Sequence, residues 1–139
     1  MTAMSGPRVP VEKEGRTSTA PVKGATTIHQ GALVVNDAGN AAPGRTATGL
    51  IALGIAEESV VNEGANGAKS VTVKRGTFKF FNSAGEQEIT AADIGKQCFI
   101  VDDQTVAKTD GADAPDPATR SAAGTVIDVD ADGVFVRVG

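Results

Sequence analysis

Apolar and polar positions alternate most regularly between residues 50 and 81, in the segment LIALGIAEESVVNEGANGAKSVTVKRGTFKFF. Alternation with period two predicts half-buried β-strands, here residues 50–56 and 70–81, joined by a loop rich in Glu, Asn and Gly. Val71 and Val73 share one face, and Phe78 and Phe80 share one face, but the two pairs have opposite parity. The phase therefore slips by one residue near Arg75 and Gly76. A glycine inside a strand pattern predicts a β-bulge at that point, bending one long strand.

The rest of the chain reads as further short strands punctuated by Gly, Asn and Asp. Residues 32–35 precede the turn cluster NDAGN. Residues 97–101 are apolar on both faces, and residues 105–108 form a short return. Between them and the central strand, residues 90–94 (TAADI) predict one short helix. Thr90 is placed to cap it, Asp93 sits three residues on, and Gly95 ends it. The loop DGADAPDPAT, residues 110–119, is exposed by its Pro and Asp content. The chain closes on GTVIDVDADGVFVRVG, two alternating runs around residues 130–133, which is a hairpin pattern. Many short strands with one helical turn predict an all-β fold.

The N-terminal stretch has a different character. Residues 1–23 hold three of the six prolines, Pro7, Pro10 and Pro21, with several Ser and Thr and few large apolar groups. Proline removes donors and holds its predecessor extended, so neither a helix nor a central strand is expected there. The chain thus divides into a flexible extended arm, residues 1–23, and a β-rich body, residues 24–139. The arm has Arg8, Lys13, Arg16 and Lys23 against Glu12 and Glu14, whereas the remainder has nine Lys or Arg against fifteen Asp or Glu. An arm of that sign suits an acidic neighbour. Val9, Pro10 and Val11 are its apolar cluster and the expected anchor, with Arg8, Lys13 and Arg16 pairing at the rim.

Composition narrows the function. At 139 residues the chain is one domain by size. Its charged content of 22% and net charge of −4 give no reason to expect nucleic acid or an anionic membrane as partner. No signal peptide is expected, and the apolar runs are too short to span a bilayer. Five Phe with no Trp or Tyr leave a core built from Val, Ile, Leu and Ala, which leaves burial for oligomerisation to complete.

Reactive residue types are scarce. Cys98, the one cysteine, lies in the apolar run QCFIV and reads as a buried hydrophobe, and His29 is the one histidine. Asp128, Asp130, Asp132 and Gly133 match the opening of a calcium loop. The twelfth position, which needs a bidentate carboxylate, is Gly139, and both flanks are β-patterned. The hairpin turn is the expected structure, with Asp128 and Asp130 alternating against Ile127 and Val129. Asp110, Asp113 and Asp116 read as a solvated loop. No phosphate loop, nucleophile elbow or His/Cys metal spacing occurs. These readings predict a non-enzymatic protein with no catalytic residue, no metal and no cofactor.

The order GIAEES, GAKSVTVKRGTFKF, DIGKQCFIVDDQTVAKT, GTVIDVDADGVFVRVG resembles the small capsid cement proteins of tailed bacteriophages. KRGTFKF is similar to a strand of the lambda-type head-decoration proteins, which also carry a proline-containing N-terminal arm. The similarity spans residues 31–139 in pattern, through Gly and Val placements rather than reactive residues. The length and the loop at residues 110–117 depart from the lambda type. The resemblance implies a small β-barrel or β-tulip-like body, a homotrimer as the usual assembly, and the phage major capsid protein as partner. It also implies a location on the outer capsid surface of the virion after synthesis in the host cytoplasm. Another virion component, such as a head fibre or tail protein, and a small β-type ligand-binding domain are the alternative classes.

Overall fold

Strands form where alternation predicts them, but the longest predicted strand is divided between two sheets. The computed structural model describes residues 2–10, 13 and 15–139. The first sheet contains β1 (Thr17–Pro21), β3 (Leu33–Asp37), β4 (Asn40–Pro43), β5 (Ile51–Ala56) and β7 (Ser70–Lys74), in the order β1-β7-β5-β3-β4. The second contains β8 (Gly76–Phe80), β9 (Gln97–Ile100), β10 (Val106–Ala107), β11 (Ala122–Asp130) and β12 (Gly133–Val138), in the order β10-β9-β11-β12-β8. A two-stranded ribbon pairs β2 (Thr26–Ile28) with β6 (Val60–Asn62). The named strand pairs are all antiparallel, and the fold is all-β.

The opposite parity of the valine and phenylalanine pairs has a different cause from the expected bulge. Val71 and Val73 belong to β7 and point into one hydrophobic cluster with Val22, Ile28, Val34 and Val60. Phe80 belongs to β8 and lies in a second cluster with Cys98, Ile100, Val126, Val134 and Val136, against which Phe78 is packed. Between them Gly76 adopts φ +155°, where an L side chain is strained, and the chain leaves one sheet to enter the other. What the pattern presents as one bent strand is two strands serving two cores.

β3 explains the continuous run LVV. Leu33 and Val35 face the second cluster while Val34 faces the first, so every residue of the run is buried. The hairpin from β3 to β4 turns on Ala38 and Gly39, with φ of 52° and 101°, the two positive dihedrals of a type I′ turn. Each large sheet also has its outer strands joined by one parallel bridge. Val22, just after β1, bridges Ala41 of β4, and Phe81, just after β8, bridges Thr105 beside β10. The bonds are Lys23 N–H to Ala41 O at 2.9 Å, Phe81 N–H to Gln104 O at 2.8 Å, and Val106 N–H to Phe81 O at 3.0 Å. These bridges bring the edges of each sheet together at one end and shorten the open ladder.

Three expectations need correction. The arm is shorter than 23 residues, because β1 pairs with β7 from Thr17 to Pro21 and Val22 is fully buried. Pro21 is tolerated because β1 is the outer strand of its sheet's order, where a missing donor breaks no ladder bond. Redrawn at Gly15, the arm has Arg8 and Lys13 against Glu12 and Glu14, so its net positive charge disappears. The short helix is a single 3₁₀ turn, Ala91–Asp93, in which Thr90 N–H donates to the Asp93 carboxylate at 2.8 Å. Finally, Ile127 does not join Val129 on the apolar face. The register shifts between Val126 and Asp128, so Val126 is buried and Ile127 is 39% exposed as the extra residue.

Adjacent phenylalanines test the placement of β8. Phe80 is 5% exposed and Phe81 57% exposed. Phe80→Ala should cost about 3–5 kcal/mol in denaturant unfolding, while Phe81→Ala should cost less than about 1 kcal/mol, as surface changes do. Equal losses would mean the faces are inverted.

A second check concerns the redrawn boundary. Removing residues 2–14 should leave the thermal midpoint unchanged. Removing residues 2–23 deletes β1 and Val22 and should lower it or abolish folding. Matching melts for the two truncations would return β1 to the arm.

Candidate functional site

The predicted contact residues lie along the arm and at its root. Arg8, Val9, Pro10 and Lys13 are exposed and outside any strand or helix, and Val9 is 95% exposed. Val11 lies outside the described residues. Arg16 is exposed at the point where the arm joins β1. That root is fastened by Arg75: its backbone N–H donates to Arg16 O at 2.7 Å and its guanidinium to Gly15 O at 3.0 Å. The residue at the sheet crossover therefore also sets where the arm departs. The structure brings Arg8, Val9 and Pro10 together only as neighbours in sequence, on no surface of their own body.

A surface groove on the second sheet was not anticipated. Three depressions of about 350, 480 and 290 Å³ adjoin one another: the first shares Phe81 and Asp132 with the second and Gly31 and Gln104 with the third. Phe81 stands in the middle of it. The signal was present in the sequence: with Phe78 and Phe80 facing inward, alternation turns the next ring outward. The walls carry Glu88, Asp103, Asp130 and Asp132 against Lys79 and His29. Lys79 Nζ lies 2.9 Å from Asp130 and 3.9 Å from Asp132, and 5.4 Å from the centre of the Phe135 ring. The hydrogen bond from Lys79, helped by the N–H of Asp132, holds the Asp130 carboxyl below its ordinary range. Ile94 and Ile127 are also exposed, and they are the sequence neighbours of the residues joined by the bond from Gly95 N–H to Val126 O.

The residues 130–133 form the hairpin turn expected of them. Asp130 Oδ1 accepts from Asp132 N–H at 2.8 Å and from Gly133 N–H at 3.0 Å, so the carboxylate closes its own turn. In the other acidic loop, Asp110 accepts from Ala112 N–H, and Asp113 and Asp116 bond each other through their backbones. Among the described residues, no three His, Cys, Asp or Glu converge as a metal site would require. His29 is exposed while Cys98 is fully buried, so the two do not share a surface. Burial pushes the Cys98 thiol up to about 12, with its sulfur 3.7 Å from Gly124 O. No helix among the described residues is long and apolar enough to cross a membrane.

No family model, curated protein or solved structure matches the chain.

The thiol gives a direct check on the second core. A thiol with its pKa raised by burial is almost wholly protonated at pH 8 and is shielded from reagents. An aromatic disulfide reagent should leave Cys98 unmodified in the native protein and modify it fully in denaturant. Rapid native labelling would show that the second cluster opens.

Proposed function

We propose that this chain is a decoration protein of a tailed-phage capsid, binding the outer surface of the head and bridging neighbouring major capsid subunits. The observation that carries the reading is the exposed segment of residues 2–10, anchored through Arg75 to an all-β body. The order of the glycine- and valine-marked strands, similar to that of the phage cement proteins, supports it from the sequence. The cementing role needs contact area and valency rather than a reaction. A small β-body supplies a rigid platform, and an extended arm adds reach at little cost in residues.

Valency decides the strength of such a clamp. If copies assemble as a trimer and each touches two capsid subunits, modest individual contacts combine through effective concentration, by factors on the order of 10²–10⁴. Phe81, Ile94 and Ile127 are apolar surfaces available to such contacts, and a core built without Trp or Tyr gives burial at an interface more weight. Ordering the arm on contact costs conformational entropy, which keeps each single contact weak and reversible until the lattice multiplies it.

The test is co-sedimentation with expanded, undecorated phage heads. Full-length protein should saturate the heads with a fixed stoichiometry, and protein lacking residues 2–14 should require at least about tenfold more protein for equal occupancy, the loss expected when a multivalent contact is removed. Failure of the full-length chain to bind any such head would remove the capsid reading. Equal binding by the truncated protein would leave the arm without a part in it.

A further inference from the structure

The arm and the groove are complementary, and we infer that the groove around Phe81 receives the segment at residues 7–10 from a second copy of this chain. The segment is Pro7-Arg8-Val9-Pro10. Two prolines three residues apart fall on one edge of a polyproline II helix, which has three residues per turn. Segments of this kind dock on grooves that present an aromatic ring, and they lose little entropy because proline already restricts them. Here the ring is Phe81, 57% exposed and lining two of the adjoining depressions.

Charge agrees with this pairing at the scale of the contact, although the arm as a whole is neutral. Arg8 is the single charged side chain in the first eleven residues. The groove offers Asp132, with 87% of its side chain exposed, and Glu88. Lys79 holds Asp130 at 2.9 Å and reaches Asp132 at 3.9 Å, so one ammonium faces the carboxylates of Glu88, Asp130 and Asp132, and an acidic excess is left to meet a guanidinium. Apolar surfaces are also matched: Val9, 95% exposed, would cover the exposed ring of Phe81. Five residues separate Pro10 from the fastened root at Arg16, a reach of about 20 Å for extended chain.

This contact deepens the decoration reading by naming what the arm holds, namely its neighbour, so that the arm would strengthen head binding by tying copies together. It does not require a capsid to form. Sedimentation velocity of the full chain at low salt over a concentration series reads it directly. The wild type should self-associate, and Phe81→Ala, Arg8→Glu and Asp132→Arg should each weaken association by about tenfold or more. The double variant Arg8→Glu with Asp132→Arg should recover much of the loss. Arg8 lies outside the fold, so its variant reports on docking even if Phe81→Ala were to perturb the body. The inference is overturned by a wild type that stays monomeric up to about 1 mM, by association that ignores all three substitutions, or by a double variant no better than the singles. A monomer that still binds heads through its arm overturns this contact and leaves the capsid reading standing. Arm-dependent self-association without head binding does the reverse.

Discussion

The passage of the chain from Lys74 to Gly76 is the constraint on which the two-sheet arrangement depends. Before it, β7 pairs with β1 and β5 in the first sheet; after it, β8 pairs with β12 in the second. A side chain at Gly76 would be strained at φ +155°, and Arg75 between the strands holds both Gly15 and Arg16. Gly54 allows the approach from the other side: at φ +150°, any β-carbon there would collide with the carbonyl of Lys74. The two glycines and one arginine therefore fix the sheet crossover and the origin of the arm together.

Packing follows from that crossover. The first sheet contributes Leu33, Val35 and Ala42, and the residue before β5 contributes Leu50, to the cluster that also receives Phe80, Ile100 and Val136 of the second sheet, so one core spans both. The other core is closed by Val22 and the ribbon of β2 and β6. Asn62, 1% exposed, ties the loop after β6 to the end of β1 through hydrogen bonds added to those of the backbone. Its amide donates to the carbonyls of Val22 and Ala65 at 2.9 and 3.0 Å and its oxygen accepts from Gly64 N–H.

The same geometry directs the candidate interaction surfaces. Because Phe80 must fill the core and Phe81 bridges to Thr105, the second ring is forced outward beside the turn of residues 130–133. The exposed ring and the exposed arm are then consequences of strand parity and of the arm's root. A decoration protein has use for both features, since weak contacts repeated over a lattice give strong retention.

Alternation alone determined the all-β class, most strands, the terminal hairpin, the acidic turn and the burial of Cys98, because each depends on local period and turn chemistry. Proline content predicted an extended arm over residues 1–23, a boundary that the pairing of β1 from Thr17 overturns. Only the tertiary structure decided that residues 70–81 are two strands in two sheets. A phase slip looks the same whether it comes from a bulge or from a change of core. Likewise β1 is polar, contains Pro21 and has no strong alternation; its place in the sheet comes from pairing with β7, a partner about fifty residues away in sequence. The exposure of Ile127 and the groove at Phe81 depend on register between distant strands, where a one-residue shift exchanges inside for outside.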